Sequence, residues 1–359
     1  ARTTTTSTSR TTLSQSRTWR SVSSRNTCAR STKSARNTGS VPAGSANAAL
    51  PAFCYIGRVK IKEIKVLPKP GESIHFKGNK VIKYFDDETI VRDRIERAKI
   101  LKGIVPEIIP VSKNSYTYKF IPGNLLSEEV DVEKFKKFLK FCQKNLWSKK
   151  PKLDSHKKKD FLARTKKFYF DKTNRRLEKF YKDTGIKDKP IIINGKKVPT
   201  LKSMLKKINW EELSHGIPAL FHGDLQPENI LVTKNGFKLI DWRHDFEGLK
   251  EYGDLYYDLA KLYHALIVSN EVIRNKQYSI EVSKTEVSLN YLIKSNLLEF
   301  KDILDDFIVK NGYDLKKVKI LTALIYLNIA PLYDGPYNEF LYYLGQEKLH
   351  DALYEFHQK

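Results

Sequence analysis

The chain has 359 residues, 40% of them hydrophobic and 11% aromatic, enough for one two-lobed domain with a sizeable core. Its formal charge is +24, from 65 Lys and Arg against 41 Asp and Glu. Three cysteines, Cys28, Cys54 and Cys142, share no metal-ligand spacing and cannot all pair, and no apolar run approaches the ~20 residues of a membrane helix. A disulfide framework, a zinc module and a membrane-spanning protein are thereby excluded from the expectations.

Residues 1–50 stand apart. They hold seven Arg, one Lys and no acid, a third of the charge excess. Such a Ser/Thr/Arg-rich tract buries too little apolar surface to offset the entropy of ordering, so it reads as a disordered leader. Its composition fits an organellar transit segment as well as a leader foreign to the rest of the chain. The expected location is cytoplasmic, or organellar if the leader is a transit segment. The remaining excess is Lys scattered among Asn, Ile and Tyr, which is a composition bias rather than a patch. A nucleic-acid partner is therefore not expected, and a basic nucleic-acid-binding protein stands only as a further alternative.

From Tyr55 the pattern turns globular. Val59, Ile61, Ile64 and Val66 predict a first strand. Leu67 to Ser73 follows as a stiff connection with one Gly and two Pro. Lys80 to Phe85 alternates as another strand, with Gly78-Asn79 as the turn before it. Thr89 to Lys102 predicts a charged helix on which Glu96 and Ile100 share a face. Tyr116 to Phe120 reads as a strand running into Pro122-Gly123. Phe135, Phe138, Leu139, Cys142 and Leu146 recur at helix spacing, which places Cys142 in the core. A second helix is predicted from about Lys158 to Lys182, and Ile191 to Val198 as a small hairpin. Residues 148–215 form an insertion suited to shaping a pocket. Near the end, Tyr326, Tyr333, Tyr337, Tyr342 and Tyr343 read first as helix packing. The alternative is stacking on a sugar or around a quaternary amine.

The most informative stretch runs from Phe221 to Val232 and on through Lys238-Leu239-Ile240-Asp241-Trp242. Asp224 precedes Asn229 by five residues, the spacing of a proton-accepting carboxylate and a metal-binding amide in phosphoryl transfer. Ile230 to Thr233 and Phe237 to Ile240 predict two short strands. Lys234-Asn235-Gly236 supplies the tight turn between them. Asp241 then falls just past a strand end, back beside Asn229. Two oxygen donors brought together in this way suit a hard cation such as magnesium.

His-Gly-Asp-Leu-x-x-x-Asn-Ile-Leu at 222–231, followed by Ile240-Asp241-Trp242, resembles the aminoglycoside phosphotransferase and choline kinase group. The resemblance covers roughly residues 55 to 359. It implies an α+β, protein-kinase-like two-lobed fold. Residues 51–121 would form a small nucleotide-binding sheet-and-helix lobe, and residues 122–359 a larger helical lobe that is catalytic and binds the acceptor. It further implies that Lys83 meets the ATP phosphates and is fixed by an ion pair with Glu96. The Lys119 carbonyl and the Ile121 amide would contact the adenine edge at the hinge. Asp258, read as opening a helix at Asp258-Leu259-Ala260, would brace the catalytic loop, and His222 would support it by hydrogen bonding. No Gly-x-Gly-x-x-Gly precedes Lys83, a departure from the protein-kinase pattern.

The expectation is an ATP- and magnesium-dependent phosphotransferase acting on a hydroxyl of a small molecule. Asp224 is the catalytic base, Asn229 and Asp241 are the metal ligands, and Lys83, Glu96, Lys119 and Ile121 bind the nucleotide. A sugar, as in surface polysaccharide assembly, or an amino alcohol such as choline is the candidate acceptor. The alternative is a catalytically silent nucleotide-binding module on the same fold. Arg243 and His244 face either an anionic part of the substrate or solvent. The sequence leaves the acceptor's identity, the exact nucleoside triphosphate and the oligomeric state open.

Overall fold

The computed structural model describes residues 65–69 and 71–355. The leader 1–50, Cys28, Cys54 and the expected strand positions Val59, Ile61 and Ile64 lie outside the described residues.

Five strands make one antiparallel sheet: β1 (Lys65–Lys69), β2 (Glu72–Lys77), β3 (Lys80–Phe85), β4 (Ile108–Ser112) and β5 (Ser115–Lys119). Their order is β1-β2-β3-β5-β4. Lys69 pairs with Glu72 across a two-residue connection in which Gly71 has φ +70°, so the stiff turn foreseen there is a tight hairpin. Side chains alternate across a strand, so Val81, Lys83 and Phe85 share the buried face of β3. Helix α1 (Glu88–Ile100) follows, capped by Asp87, whose carboxylate accepts the Thr89 N–H at 2.8 Å. Ile74, Phe76, Val81, Phe85, Val91, Tyr116 and Tyr118 form the core of this lobe.

The second lobe opens with β6 (Asn124–Leu125) and α2 (Val132–Cys142), which a π turn extends to Trp147. Cys142 is fully buried, as expected. The predicted second helix is one continuous run in which α3 (Ser155–Lys166) passes through a π turn at Lys167–Asp171 into α4 (Lys172–Thr184). Single π turns inside α-helices recur at functional sites. The hairpin β7 (Ile191–Ile193) and β8 (Lys196–Val198) has Asn194 and Gly195 at its turn, both with positive φ. Short helices α5 (Leu201–Lys207) and α6 (Trp210–Ser214) lead to β9 (Pro218–Ala219) and the loop carrying Asp224.

Then come β10 (Ile230–Thr233), β11 (Gly236–Leu239), β12 (Gly253–Asp254) and α7 (Leu255–Ile267). Thr233 pairs with Gly236, so Lys234 and Asn235 occupy the turn and Gly236, at φ +106°, follows it. The Asn-Gly pair therefore does not fill both central positions here. Helix α7 begins three residues before Asp258, because buried Asp254 caps it through the Tyr256 N–H. The remainder is α8 (Asn270–Arg274), β13 (Tyr278–Val282), β14 (Glu286–Tyr291), α9 (Ser295–Lys310), α10 (Leu315–Ile329) and α11 (Pro336–His350). Strands β13 and β14 join β7 and β8 in one sheet, a pairing not foreseen from the sequence.

The fold is thus the expected α+β pair of lobes. β6 already pairs with β10, so the chain changes lobe between Lys119 and Asn124. Leu231 and Ile240 of the second lobe pack into the first lobe's core. Tyr326, Tyr342 and Tyr343 are buried in the helical core, in line with the packing reading of the tyrosine cluster. Among the described residues no helix is long and apolar enough to cross a membrane.

Candidate functional site

The loop from Phe221 to Asp224 is held from beneath. Asp258 is fully buried on α7, and its carboxylate accepts the His222 N–H at 2.8 Å and the Gly223 N–H at 2.7 Å. Burial pushes this carboxyl up to about 6, against the pull of those two amides. Gly223 has φ +85°, and a Cβ there would lie 2.6 Å from the Arg243 Cβ, so only glycine fits. His222 sits 3.0 Å from the Ile240 carbonyl through Nε2, while its Nδ1 accepts the Asp224 N–H at 3.3 Å. This makes it a neutral imidazole with the proton on Nε2. Burial keeps it neutral by lowering its pKa to about 3. His222 is thus a loop support in geometry.

Asp224, Asn229 and Asp241 come together as the spacing implies. The Asn229 amide donates to the Asp224 carbonyl at 2.9 Å and to Asp224 Oδ2 at 3.1 Å. The Ile240 N–H donates to the Asn229 carbonyl at 2.9 Å, and this bond places Asp241 beside Asn229. Asp241 adopts φ +59°, a left-handed turn that aims its carboxylate back toward the first lobe. The Lys261 ammonium lies 2.7 Å from Asp224 Oδ1. Burial alone raises the Asp224 carboxyl, and Lys261 outweighs it, holding the group at about 2 and ionised. Lys261 was not singled out in the sequence. Its one signal is its place three residues after Asp258 on the same helix.

Lys83 is buried and bonds both Glu72, at 3.3 Å, and Asp241. The expected Lys83–Glu96 pair does not form. Residues two apart on a helix point about 200° apart. α1 turns Arg94 to the site, where it reaches the Tyr116 hydroxyl at 3.4 Å and Asp241 at 3.5 Å. Glu96 consequently faces outward, 44% exposed, and bonds Lys250. Glu72 on the neighbouring strand takes the place assigned to Glu96. One turn along α1, Arg97 is fully buried, donating to the Arg243 carbonyl at 2.8 Å and to the Phe221 carbonyl. α1 is thereby tied to the segments flanking Asp224 and Asp241.

At the hinge, Lys119 ends β5 opposite Lys80, and the Phe120 N–H donates to the Asn79 carbonyl at 2.7 Å. Ile121 packs, partly buried, against the cluster that contains Leu231 and Ile240. The donor set fits a hard cation. Asn229 commits its NH2 group to Asp224, which leaves its side-chain carbonyl oxygen as the atom that could meet a cation.

Beside Asp224 opens a cavity of about 270 Å³. One wall is the π turn and α4, with Phe168, Lys172 and Arg176 at successive i, i+4 positions; the facing wall is the apolar side of α10, with Leu321, Leu324 and Ile325. Asn328 of α10 donates to the Thr173 hydroxyl at 2.9 Å and links the two walls. Arg243 and His244 line the cavity as well, so they do not simply face solvent. The segment after Asp241 is held by Phe246, whose ring lies 4.4 Å from Phe168 between centroids.

No family model matches the chain, and no curated protein matches it. Among solved structures it is similar to an ethanolamine kinase of Plasmodium vivax, at 16% identity and TM-score 0.42, over 83% of this chain and 84% of that one. It is also similar to a choline kinase of Cryptosporidium parvum, at 14% identity and TM-score 0.42, over 86% and 93%. A macrolide 2'-phosphotransferase of Brachybacterium faecium aligns at 12% identity and TM-score 0.40, over 83% and 93%. These are likenesses of chain course at low identity, and the site is read from its own side chains.

Proposed function

We propose that the protein is an ATP-dependent phosphotransferase whose acceptor is the hydroxyl of a small molecule. The observation that carries this reading is that Asp224 and Asp241 line one cavity, with Asn229 bonded to Asp224 and Lys83 reaching Asp241 from the other lobe.

The acceptor hydroxyl lies against Asp224, which is ionised and held by Lys261 and the Asn229 amide. The acceptor oxygen forms a bond to the γ-phosphorus. The bond from that phosphorus to the oxygen bridging the β-phosphate breaks, and ADP leaves with the electron pair. The acceptor's proton passes to the Asp224 carboxylate. Lys83, fixed by Glu72, and Arg94 are the cations that meet the triphosphate oxygens. Asn229 and Asp241 would hold magnesium, which supplies neutralising charge at those oxygens. The Lys119 carbonyl and the Ile121 amide are the hinge groups for the base. The segment between Asp241 and α7 is short and packed by Phe246, which favours a compact acceptor over an extended peptide.

The test is transfer of label from γ-labelled ATP, with magnesium, to a panel of small hydroxyl compounds and to mixed peptides. Labelling of small molecules is expected. Labelling of peptides alone would reverse the acceptor class, and bound ATP without any turnover would favour a silent nucleotide-binding module.

A further inference from the structure

The cavity beside Asp224 holds more positive than negative charge. Arg94, Lys172, Arg176, Arg243 and Lys261 line it, against the carboxylates of Asp224 and Asp241 alone. Two of these cations are matched, Lys261 with Asp224 at 2.7 Å and Arg94 with Asp241 at 3.5 Å. Arg243 donates through Nε to the Asp245 carbonyl at 2.8 Å, and the Asp245 carboxylate, 4.0 Å away, also faces His244 at 3.2 Å. Among the described residues Lys172 and Arg176 make no ion pair. Glu247, whose charge acts on Lys172, is ion-paired with Lys167 at 2.6 Å.

Lys172 rests on aromatic faces, 4.1 Å from the centroid of Phe168 and 5.8 Å from that of Tyr257. The Arg243 guanidinium lies 4.9 Å from the same Phe168 ring, so one ring serves two cations. Burial, together with Arg243, Arg176 and Lys261, pushes the Lys172 ammonium well below its ordinary range. In a lysine-rich chain a lone cation on a surface means little. Here three side chains of cationic type from a helix and a loop converge inside one cavity, with the Asp245 carboxylate 4.0 Å from Arg243 as their one ion-pair partner, and that crowding is unfavourable until an anion enters.

We propose that the acceptor carries a phosphate or carboxylate group besides its hydroxyl, and that Lys172, Arg176 and Arg243 hold that anionic group while Asp224 meets the hydroxyl. This rests on the phosphotransfer reading above and narrows it. It sets aside a cationic amino alcohol such as choline, whose ammonium would lie beside the Arg176 and Arg243 guanidinium groups. The remaining wall, from α10, is apolar and suits the carbon face of the acceptor.

The test uses the full chain with magnesium and a non-hydrolysable ATP analogue filling the nucleotide site. Binding of a hexose, its 6-phosphate, its uronic acid and choline is measured by calorimetry. The two anions should bind at least ~10-fold tighter than the parent hexose, because truncating a partner of a close interfacial charge pair typically costs that much or more. The phosphate and uronate arms show which anion is preferred. Arg176→Met and, separately, Lys172→Met should each erode the preference for the anions, and Arg176→Lys should retain part of it. Choline or the neutral hexose binding as tightly as the anions would overturn the proposal, as would an undiminished preference in both Met variants. Transfer from labelled ATP is read in parallel. Selective anion binding with no transfer from ATP would sink the phosphotransfer reading and leave the anion site standing. Transfer confined to neutral or cationic acceptors would do the reverse.

Discussion

Lys83 meets Glu72 at 3.3 Å on diagonal positions of the β2–β3 ladder, where Ile74 stands directly opposite Lys83. Both side chains belong to one rigid sheet, so this pair does not depend on where α1 sits. Exchanging Glu72→Gln should raise the KM for ATP about 10-fold, the scale of one lost hydrogen bond between charged groups. Glu96→Gln should stay within experimental error of the parent. A larger effect at Glu96 than at Glu72 would show that α1 rotates to pair Lys83 when nucleotide binds.

Asp224→Asn keeps the shape of the side chain on a loop already held by Asp258 and His222. The fold should be retained, with some stability lost as Lys261 loses its partner, and transfer should fall by at least ~100-fold, the low end for loss of a general base. Circular dichroism and a labelled-ATP assay on the same sample check both halves. Turnover at the parent's rate would remove Asp224 from the reaction.

Acid should destabilise the fold before it reaches the ordinary carboxylate range. His222 and His264 are both lowered by burial to about 3, against an ordinary 6.5. The unfolded chain therefore binds protons at these positions that the folded chain refuses. Their contribution is complete above pH 6.5 and is lost as pH falls toward 3. Asp258 has the opposite sign. Its folded pKa of about 6 lies above the ordinary 3.8, so its contribution grows as pH falls between those values. The two histidines outweigh it. Urea unfolding between about pH 4 and 7 should show stability falling with acid, and Asp258→Asn should steepen that fall. Flat stability over this range would contradict the neutral state assigned to both imidazoles.

Arg97 bonds two carbonyls of the catalytic lobe and stacks on Phe221 at 3.8 Å. Arg97→Met keeps the bulk and removes the donors, leaving both carbonyls to find water. A loss of about 3 kcal/mol is expected from two hydrogen bonds made by a buried charged group. Thermal melting reads it as a drop in Tm. An unchanged Tm would mean that α1 is not coupled to the catalytic loop.

The positions of Asp224, Asn229 and Asp241 could be read in the sequence because they lie on one loop and one hairpin. Local backbone pairing between β10 and β11 is enough to bring the strand end back beside Asn229, whichever way the rest of the chain packs. Lys83 was reached through the resemblance, as a lysine of the strand that precedes α1. The side chain that α1 turns to the site was not, because the choice between Arg94 and Glu96 is a choice of rotation about the α1 axis. That rotation is set by how α1 packs between the sheet and the Trp242 indole, which donates to the Arg94 carbonyl at 3.1 Å. Lys261, Lys172 and Arg176 lay beyond sequence reading for a related reason. They become neighbours of Asp224 only when α7 and the α3–α4 run pack around one cavity. The sequence by itself determined the loop and hairpin that carry Asp224, Asn229 and Asp241, since short-range pairing builds them. The charge of the cavity beside Asp224 was decided by tertiary structure alone, since a side chain's electrostatic neighbours are chosen by packing between distant elements.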